Sequence, residues 1–295
     1  MSATYRRTRI AVTRIIRFST AFRRSKMGMI GLSVLLFFML LAVFAPYIAS
    51  YELAMKQGMP QDILTPPSSK HPLGTDDVGR DIYSQIVFGS RVSLLVGFLA
   101  TVVATSIGTV VGLLSGYYGG SFDEVMMRFT DIILVIPWLP LMIVLAAIFG
   151  PSLWNIVFLI GGLWWTNTAR IVRSQVLTVK ERTYIEKARA LGASDFRIMF
   201  HHILPNVMAL VFANAIILVA WAIMYEAVLS FLGLGVAGQM SWGLILHYAF
   251  MTGAITAKAW WYILPPGICI ITVVSAFASL NYSLDEIINP RAKVI

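Results

Sequence analysis

Few residues in this chain could do chemistry, and their spacing excludes more than it permits. None of the seven lysines follows a glycine, so no G-K-[ST] loop is present to cradle a nucleotide's phosphates, and no G-x-S-x-G elbow is present for an acyl hydrolase. His201 and His202 are adjacent and point to different faces of a helix, while His71 and His247 stand alone, an arrangement unsuited to holding a metal. The single cysteine, Cys269, lies in an apolar run and reads as a packed thiol; one cysteine forms no intrachain disulfide. Glu226 is the one ionisable group inside a long apolar run, a position that suggests a place on a solute pathway or at an interface.

The elements that must position these residues belong in a bilayer. Of 295 residues, 58% are apolar and 13% charged, and the mean hydropathy is +0.78, outside the soluble range. Apolar runs long enough to cross about 30 Å of hydrocarbon occur at Met29–Ile48, Ser93–Ser115, Ile132–Phe149, Leu153–Ala169, Asn206–Phe231 and Tyr262–Tyr282. The expected fold is therefore an all-α integral membrane protein with six transmembrane helices. The first run is too long for a cleavable signal core and reads as a retained anchor.

With a cytoplasmic N-terminus, segments 1–28, 115–131, 170–205 and the C-terminal tail (284–295) carry 18 of the 23 basic residues. Both termini are thus expected inside, in a cell or inner membrane, with the net charge of +9 serving topology rather than nucleic acid. On this reading 29–48 is the first span, 49–92 an extracytoplasmic loop and 93–283 the membrane core. The loop, with Pro60, Pro66, Pro67 and Pro72, reads as ordered surface structure. Segment 234–262 is also outside, yet Trp242, Leu244, Ile245, Tyr248, Ala249 and Phe250 suit an interfacial or re-entrant position.

Two local patterns stand out. Ala100, Ala104, Gly108, Gly112 and Gly116 recur every four residues, a stripe of small side chains that lets another helix, of this chain or of a partner, approach closely. Pro137 and Pro140 predict a break in the third span, a hinge or a packing kink.

Between the fourth and fifth spans, Tyr184–Asn206 reads as two short helices at an angle. Ile185, Ala188 and Leu191 share a face of the first, Gly192 ends it, Ser194 caps the second, Phe196, Met199, Phe200 and Ile203 line one face of that second helix, and Pro205 closes the segment. Such an elbow suits a docking surface or a membrane-surface helix pair.

At this point the chain resembles the permease subunits of ATP-binding-cassette importers, whose cytoplasmic loop follows the pattern E-A-A, three residues, G, then a run ending in L-P. Glu186, Ala188, Gly192, Leu204 and Pro205 match, and Lys187 departs from the usual second alanine. Further matches are H-P-L-G-T-D-D-V-G-R-D at His71–Asp81 with Gly89, Arg91, Ser93 and Leu94, and G-Y-Y-G-G at Gly116–Gly120 with Asp123, Met127, Arg128 and Asp131. E-A-V-L-S-F-L-G-L-G at Glu226–Gly235 and S-W-G at Ser241–Gly243 complete the set. These look like the second permease of the dipeptide, oligopeptide and nickel branch, over about His71 to Arg291. Gln85 stands where arginine is common, and Asn281, Tyr282 and Ser283 replace a usual G-D-G, although Asn289, Pro290 and Arg291 resemble the closing D-P-R.

The resemblance implies a non-catalytic subunit that pairs with a homologous permease and encloses half of the pathway. It implies two cytoplasmic ATP-binding subunits that use ATP and magnesium, none of it bound by this chain. It also implies an extracytoplasmic solute-binding protein, which would touch segments Ala49–Val92 and Val236–Tyr262. The coupling helix would be Tyr184, Ile185, Glu186, Lys187, Ala188, Arg189, Ala190, Leu191, Gly192 and Ala193. Solutes of the branch are dipeptides and oligopeptides, with nickel chelates and oligosaccharides among relatives. Two rivals are an ion-coupled secondary transporter working through Glu226, and a membrane scaffold without transport, which would leave the elbow pattern without a reason.

Overall fold

The computed structural model describes residues 20–236 and 238–288, most of them helical, with a long, largely irregular segment over 56–81. α1 (Lys26–Val43) starts at Ser25, whose hydroxyl accepts from the Gly28 N–H, and stops at Phe44. The expected first span thus ends early, and a short α2 (Ala45–Ile48) and α3 (Tyr51–Met55) follow. α4 (Ile82–Tyr118) is capped by the Asp81 carboxylate, which accepts from the Ser84 N–H, and ends at Gly119 with φ +68°. It therefore begins eleven residues before the expected second span, because a side-chain cap, rather than hydropathy, decides where the helix starts.

Segment 115–131, expected as a connection, is instead largely α5 (Gly120–Val135). The expected third span is broken where Pro137 stands: α5 and α6 (Trp138–Phe149) meet at 89°. Pro137 lacks the N–H that would continue the ladder, whereas Pro140 sits in the first turn of α6, where no such donor is needed. α7 (Leu153–Lys180) runs eleven residues past the expected fourth span.

α8 (Thr183–Ala190) and α9 (Asp195–Arg197) form the elbow. A wide π-helical stretch, Ile198–Ile203, then leads without interruption into α10 (Leu204–Leu229). Pro205 therefore does not close a separate helix. Asn206 Nδ2 donates to the His202 carbonyl at 2.6 Å, so a carbonyl beside the proline still finds a donor. A second π-helical stretch, Ser230–Leu234, bends the chain at Gly233, φ +83°, toward α11 (Trp242–Met251) and α12 (Trp260–Ile288). The last helix thus extends beyond position 284, into the expected tail. Arg291 and the other residues of 289–295 lie outside the described residues, as do the basic residues of 1–19.

By length and composition, Lys26–Val43, Ile82–Tyr118, the continuous Asp195–Leu234 and Trp260–Ile287 can each cross a membrane, and the bent α5–α6 pair makes a fifth. α7, expected as a further span, is long enough but not apolar enough by the same measure: Asn155, Thr166, Asn167, Thr168 and Arg170 interrupt it. It owes its place to packing. α4 and α7 form the most extensive helix pair of the fold. Together with α6 and α10 they bury Val96, Ala100, Ala104, Ile156, Ile160 and Leu163. α1 lies on α12, where Gly31 approaches the Ala276 carbonyl so closely that a Cβ would stand 2.7 Å away.

Candidate functional site

The elbow divides its apolar side chains between core and surface. Ile185, Ile198, Met199 and Ile203 are buried against Val172, Val176 and Val179 of α7 and Leu113 and Tyr117 of α4. Leu191 is 88% exposed, Phe196 65% and Phe200 42%, and the two phenylalanine rings lie 4.4 Å apart. This corrects the expected faces. Leu191 does not join Ile185, because it lies just past the last residue of α8, and Phe196 and Phe200 do not join Met199 and Ile203, because the π-helical stretch from Ile198 shifts the angular position of successive side chains from that of an α-helix.

The hinge follows expectation locally. Gly192 has φ +80°, and nothing lies within 4 Å of where its Cβ would stand, so only its backbone freedom is used there. Ser194 accepts from the Arg197 N–H. Glu186 lies in the first turn of α8, Lys187 and Arg189 in the last, the order that the helix dipole favours. Glu186, Lys187, Arg189 and Ala190 are exposed, and Ala188 and Ala193 half-buried. The Tyr184 hydroxyl accepts from Asn206 Nδ2 at 3.3 Å.

A hydrogen bond ties the elbow to α4 and another joins the ends of α7 and α4, and the spacing pattern did not reveal either. The Tyr117 hydroxyl donates to Asp195 Oδ1 at 2.5 Å, and Lys180 Nζ donates to the Tyr117 carbonyl. Asp195, next to a cap serine, was the local signal available. Nearby, Arg173 grips both oxygens of Asp123, and Arg170 pairs with Asp131, so α5 is fastened to α7.

The stripe of small residues on α4 faces α7 of the same chain. A Cβ on Gly108 would stand 2.5 Å from Thr168 Cβ, on Gly112 2.5 Å from the Ala169 carbonyl oxygen, and on Gly116 2.8 Å from Val176 Cβ. Gly161 of α7 reciprocates against the Ala100 carbonyl at 2.8 Å.

Glu226 is fully buried. Its Oε2 accepts from Ser93 Oγ at 2.9 Å and its Oε1 from Ser230 Oγ at 2.6 Å, while the Trp242 N–H donates to Ser93 Oγ at 3.4 Å. Gly243 packs so tightly on Ala227 that a Cβ would stand 2.4 Å from its carbonyl oxygen. The carboxylate therefore knots α4, α10 and α11 at a junction inside the chain.

The segment before α4 is built around another buried carboxylate. Asp76 accepts from the backbone N–H groups of Val78 at 3.0 Å and Arg80 at 2.7 Å, and from Arg80 Nε and Gln85 Nε2 at 2.6 Å each. Burial by itself lowers the pKa of Arg80, but Asp76, joined by Tyr262 and Asp77, outweighs it and holds the value above normal, so the guanidinium stays charged. The same guanidinium sits 5.4 Å from the centre of the Tyr248 ring. Tyr262 donates to Asp77 at 2.7 Å and the Trp261 indole to the Thr75 carbonyl at 3.2 Å, fixing the segment on α11 and α12. Gln85, noted as a departure, thus keeps a donor on Asp76.

Among the described residues no three histidine, cysteine or acidic side chains gather as a metal site.

Comparison with known proteins agrees with this architecture. The family described as binding-protein-dependent transport system inner membrane component matches residues 108–294, and the N-terminal transmembrane domain of oligopeptide transport permease C matches residues 15–67. The chain is 39% identical over 272 residues to the dipeptide transport system permease protein DppC of Alkalihalophilus pseudofirmus, covering 92% of this chain and 88% of that one. It is 36% identical over 291 residues to DppC of Escherichia coli K12, covering 96% and 95%. Identity to the oligopeptide transport system permease protein OppC of Bacillus subtilis is 36% over 273 residues, covering 92% and 88%.

Proposed function

Because this chain belongs to the inner membrane component family of binding-protein-dependent transport systems, we propose that it is one permease subunit of an ATP-driven peptide importer, coupled to cytoplasmic ATPases through Tyr184–Ala193. The observation that carries the reading is the divided elbow: Leu191, Phe196 and Phe200 present apolar surface outward while Ile185, Ile198, Met199 and Ile203 root the same two helices in the core. A surface so anchored can receive a push without detaching from the fold.

Force on the elbow would pass from α9 through the Asp195–Tyr117 bond to the end of α4, and from α4 to α7 across the small-residue stripe. ATP and magnesium belong, in this reading, to two partner subunits, and a second, homologous permease completes the pathway. A solute-binding protein delivers the solute to segments 49–92 and 236–262. With α7 as a sixth crossing, shielded by its neighbours, both termini would lie on one side, which the concentration of basic residues makes the cytoplasmic side. An ion-coupled carrier working through Glu226 has no supporting observation, since that carboxylate is engaged by two serines of its own chain.

The test is Gly192→Val. With φ +80° and open space around the position, the change adds backbone strain of about 1–2 kcal/mol at the hinge and no clash. Expected is an assembled complex, in which a second permease and ATPases co-purify with the chain, whose ATP hydrolysis no longer drives uptake. Normal uptake by the variant would refute the elbow's role, and a wild-type chain that purifies without ATPases would refute the importer.

A further inference from the structure

Arg91 is the only charged residue of the 37-residue α4. It stands at the outer end of an exposed apolar stripe that continues through Leu95, Phe98 and Val102, on a different side of the helix from the glycines that meet α7. Among the described residues it forms no ion pair. The nearest acidic side chain in sequence on α3, Glu52, is taken by Lys56 at 2.7 Å. Arg91 lines a cavity of about 330 Å³ with Tyr51, Met55, Phe88, Gln239 and Met240, and no carboxylate contributes to the wall. That volume is at the lower end of what small-molecule sites enclose, roughly 300–1,000 Å³.

We propose that Arg91 and this cavity form a carboxylate-binding subsite that receives the free C-terminus of a peptide as it enters the pathway. The proposal rests on the peptide-importer reading above. A guanidinium presents paired donors that match both oxygens of a carboxylate, and apolar and aromatic walls beside it accommodate a side chain. Tyr51 and Gln239 supply the neutral polar groups that such a site needs to orient its ligand. The cavity joins three parts of the chain that are far apart in sequence: α3, α4 and the segment leading to α11. Occupancy would therefore be felt by the outer segment and by the membrane helices together.

The experiment uses the whole detergent-solubilised complex without its binding protein. It is treated with the arginine reagent phenylglyoxal, and modification is read residue by residue by mass spectrometry, with a dipeptide or with its C-terminal amide present. Expected is that Arg91 reacts in the absence of peptide, that the free acid lowers its modification several-fold, and that the amide does not. Equal protection by acid and amide, or an Arg91 unreactive from the start because a partner permease's carboxylate occupies it, overturns the subsite.

Uptake at saturating, peptide-loaded binding protein supplies the second arm. Arg91→Gln should lower the maximal rate about tenfold while Arg91→Lys retains most of it, as the loss of one charge-assisted bond implies. Failure of Arg91→Gln to assemble with the second permease would make Arg91 an interface residue and overturn the proposal. Failure of the wild-type complex to contain any ATPase would instead remove the importer reading on which the subsite rests.

Discussion

Replacing Gly112 with alanine tests whether α4 and α7 are held by backbone proximity. The new methyl would stand 2.5 Å from the Ala169 carbonyl oxygen, 2.8 Å from Val172 Cβ and 3.0 Å from the Arg173 nitrogen. Two of these three are backbone atoms of a packed helix and have no rotamer in which to retreat. The helices must part by roughly 1 Å, losing contacts at Gly108, Gly116 and Gly161 as well, since all four sit on one seam. Overpacking of this kind costs about 1–3 kcal/mol, against which alanine's better helix propensity returns up to about 1 kcal/mol. Set against a return of about 1 kcal/mol, the net loss is up to about 2 kcal/mol, or roughly 2–4 °C of melting temperature for each kcal/mol in a chain of this size.

The assay is thermal unfolding of the purified chain in detergent, with Gly162→Ala as its control. Gly162 lies on α7 next to Gly161, yet nothing stands within 4 Å of its Cβ position, so the same change there should be neutral or stabilising. If Gly112→Ala melts as high as Gly162→Ala, close approach does not hold the seam and the packing argument is wrong.

Other changes separate structural from functional roles. Glu226→Ala would strand the hydroxyls of Ser93 and Ser230 in the core and cost about 2–3 kcal/mol, measured as a lowered melting temperature; lost transport with unchanged thermal stability would instead give Glu226 a part in the pathway. Asp76→Ala leaves Arg80 without its partner and removes four hydrogen bonds, so about 3–5 kcal/mol should be lost. Limited proteolysis would report it as faster cutting within residues 56–80, and an unchanged cleavage pattern would refute the assignment of Asp76 as the organising group. The hinge change Gly192→Val and the Arg91 substitutions complete the set.

Several features were legible in the residues because they depend on neighbours a few positions away. Apolar run length marks a bilayer helix, a repeat of four marks a face, and glycine followed two residues later by serine marks a helix end and a new cap; the turn at Gly192, the cap at Ser194 and the stripe from Ala100 to Gly116 all follow from such local geometry. Helix ends were less legible. α4 starts at the Asp81 cap and α7 continues to Lys180, because caps and packing, rather than hydropathy, terminate helices. The faces of the segment after Ser194 were misassigned because a π-helical stretch alters the angular step, and no local residue pattern announces it.

The sequence by itself therefore determined the membrane class, the nearly all-helical architecture, the elbow and its hinge. Only the tertiary structure decided that the small stripe meets α7 rather than another subunit, that Glu226 is held by Ser93 from 133 positions away, and that Tyr262 reaches Asp77 across 185 positions. It alone separated the anchored from the exposed apolar residues of the elbow. The reason is physical: a helix's period sets which residues share a face over one or two turns, but which partner meets that face depends on how all the helices pack at once.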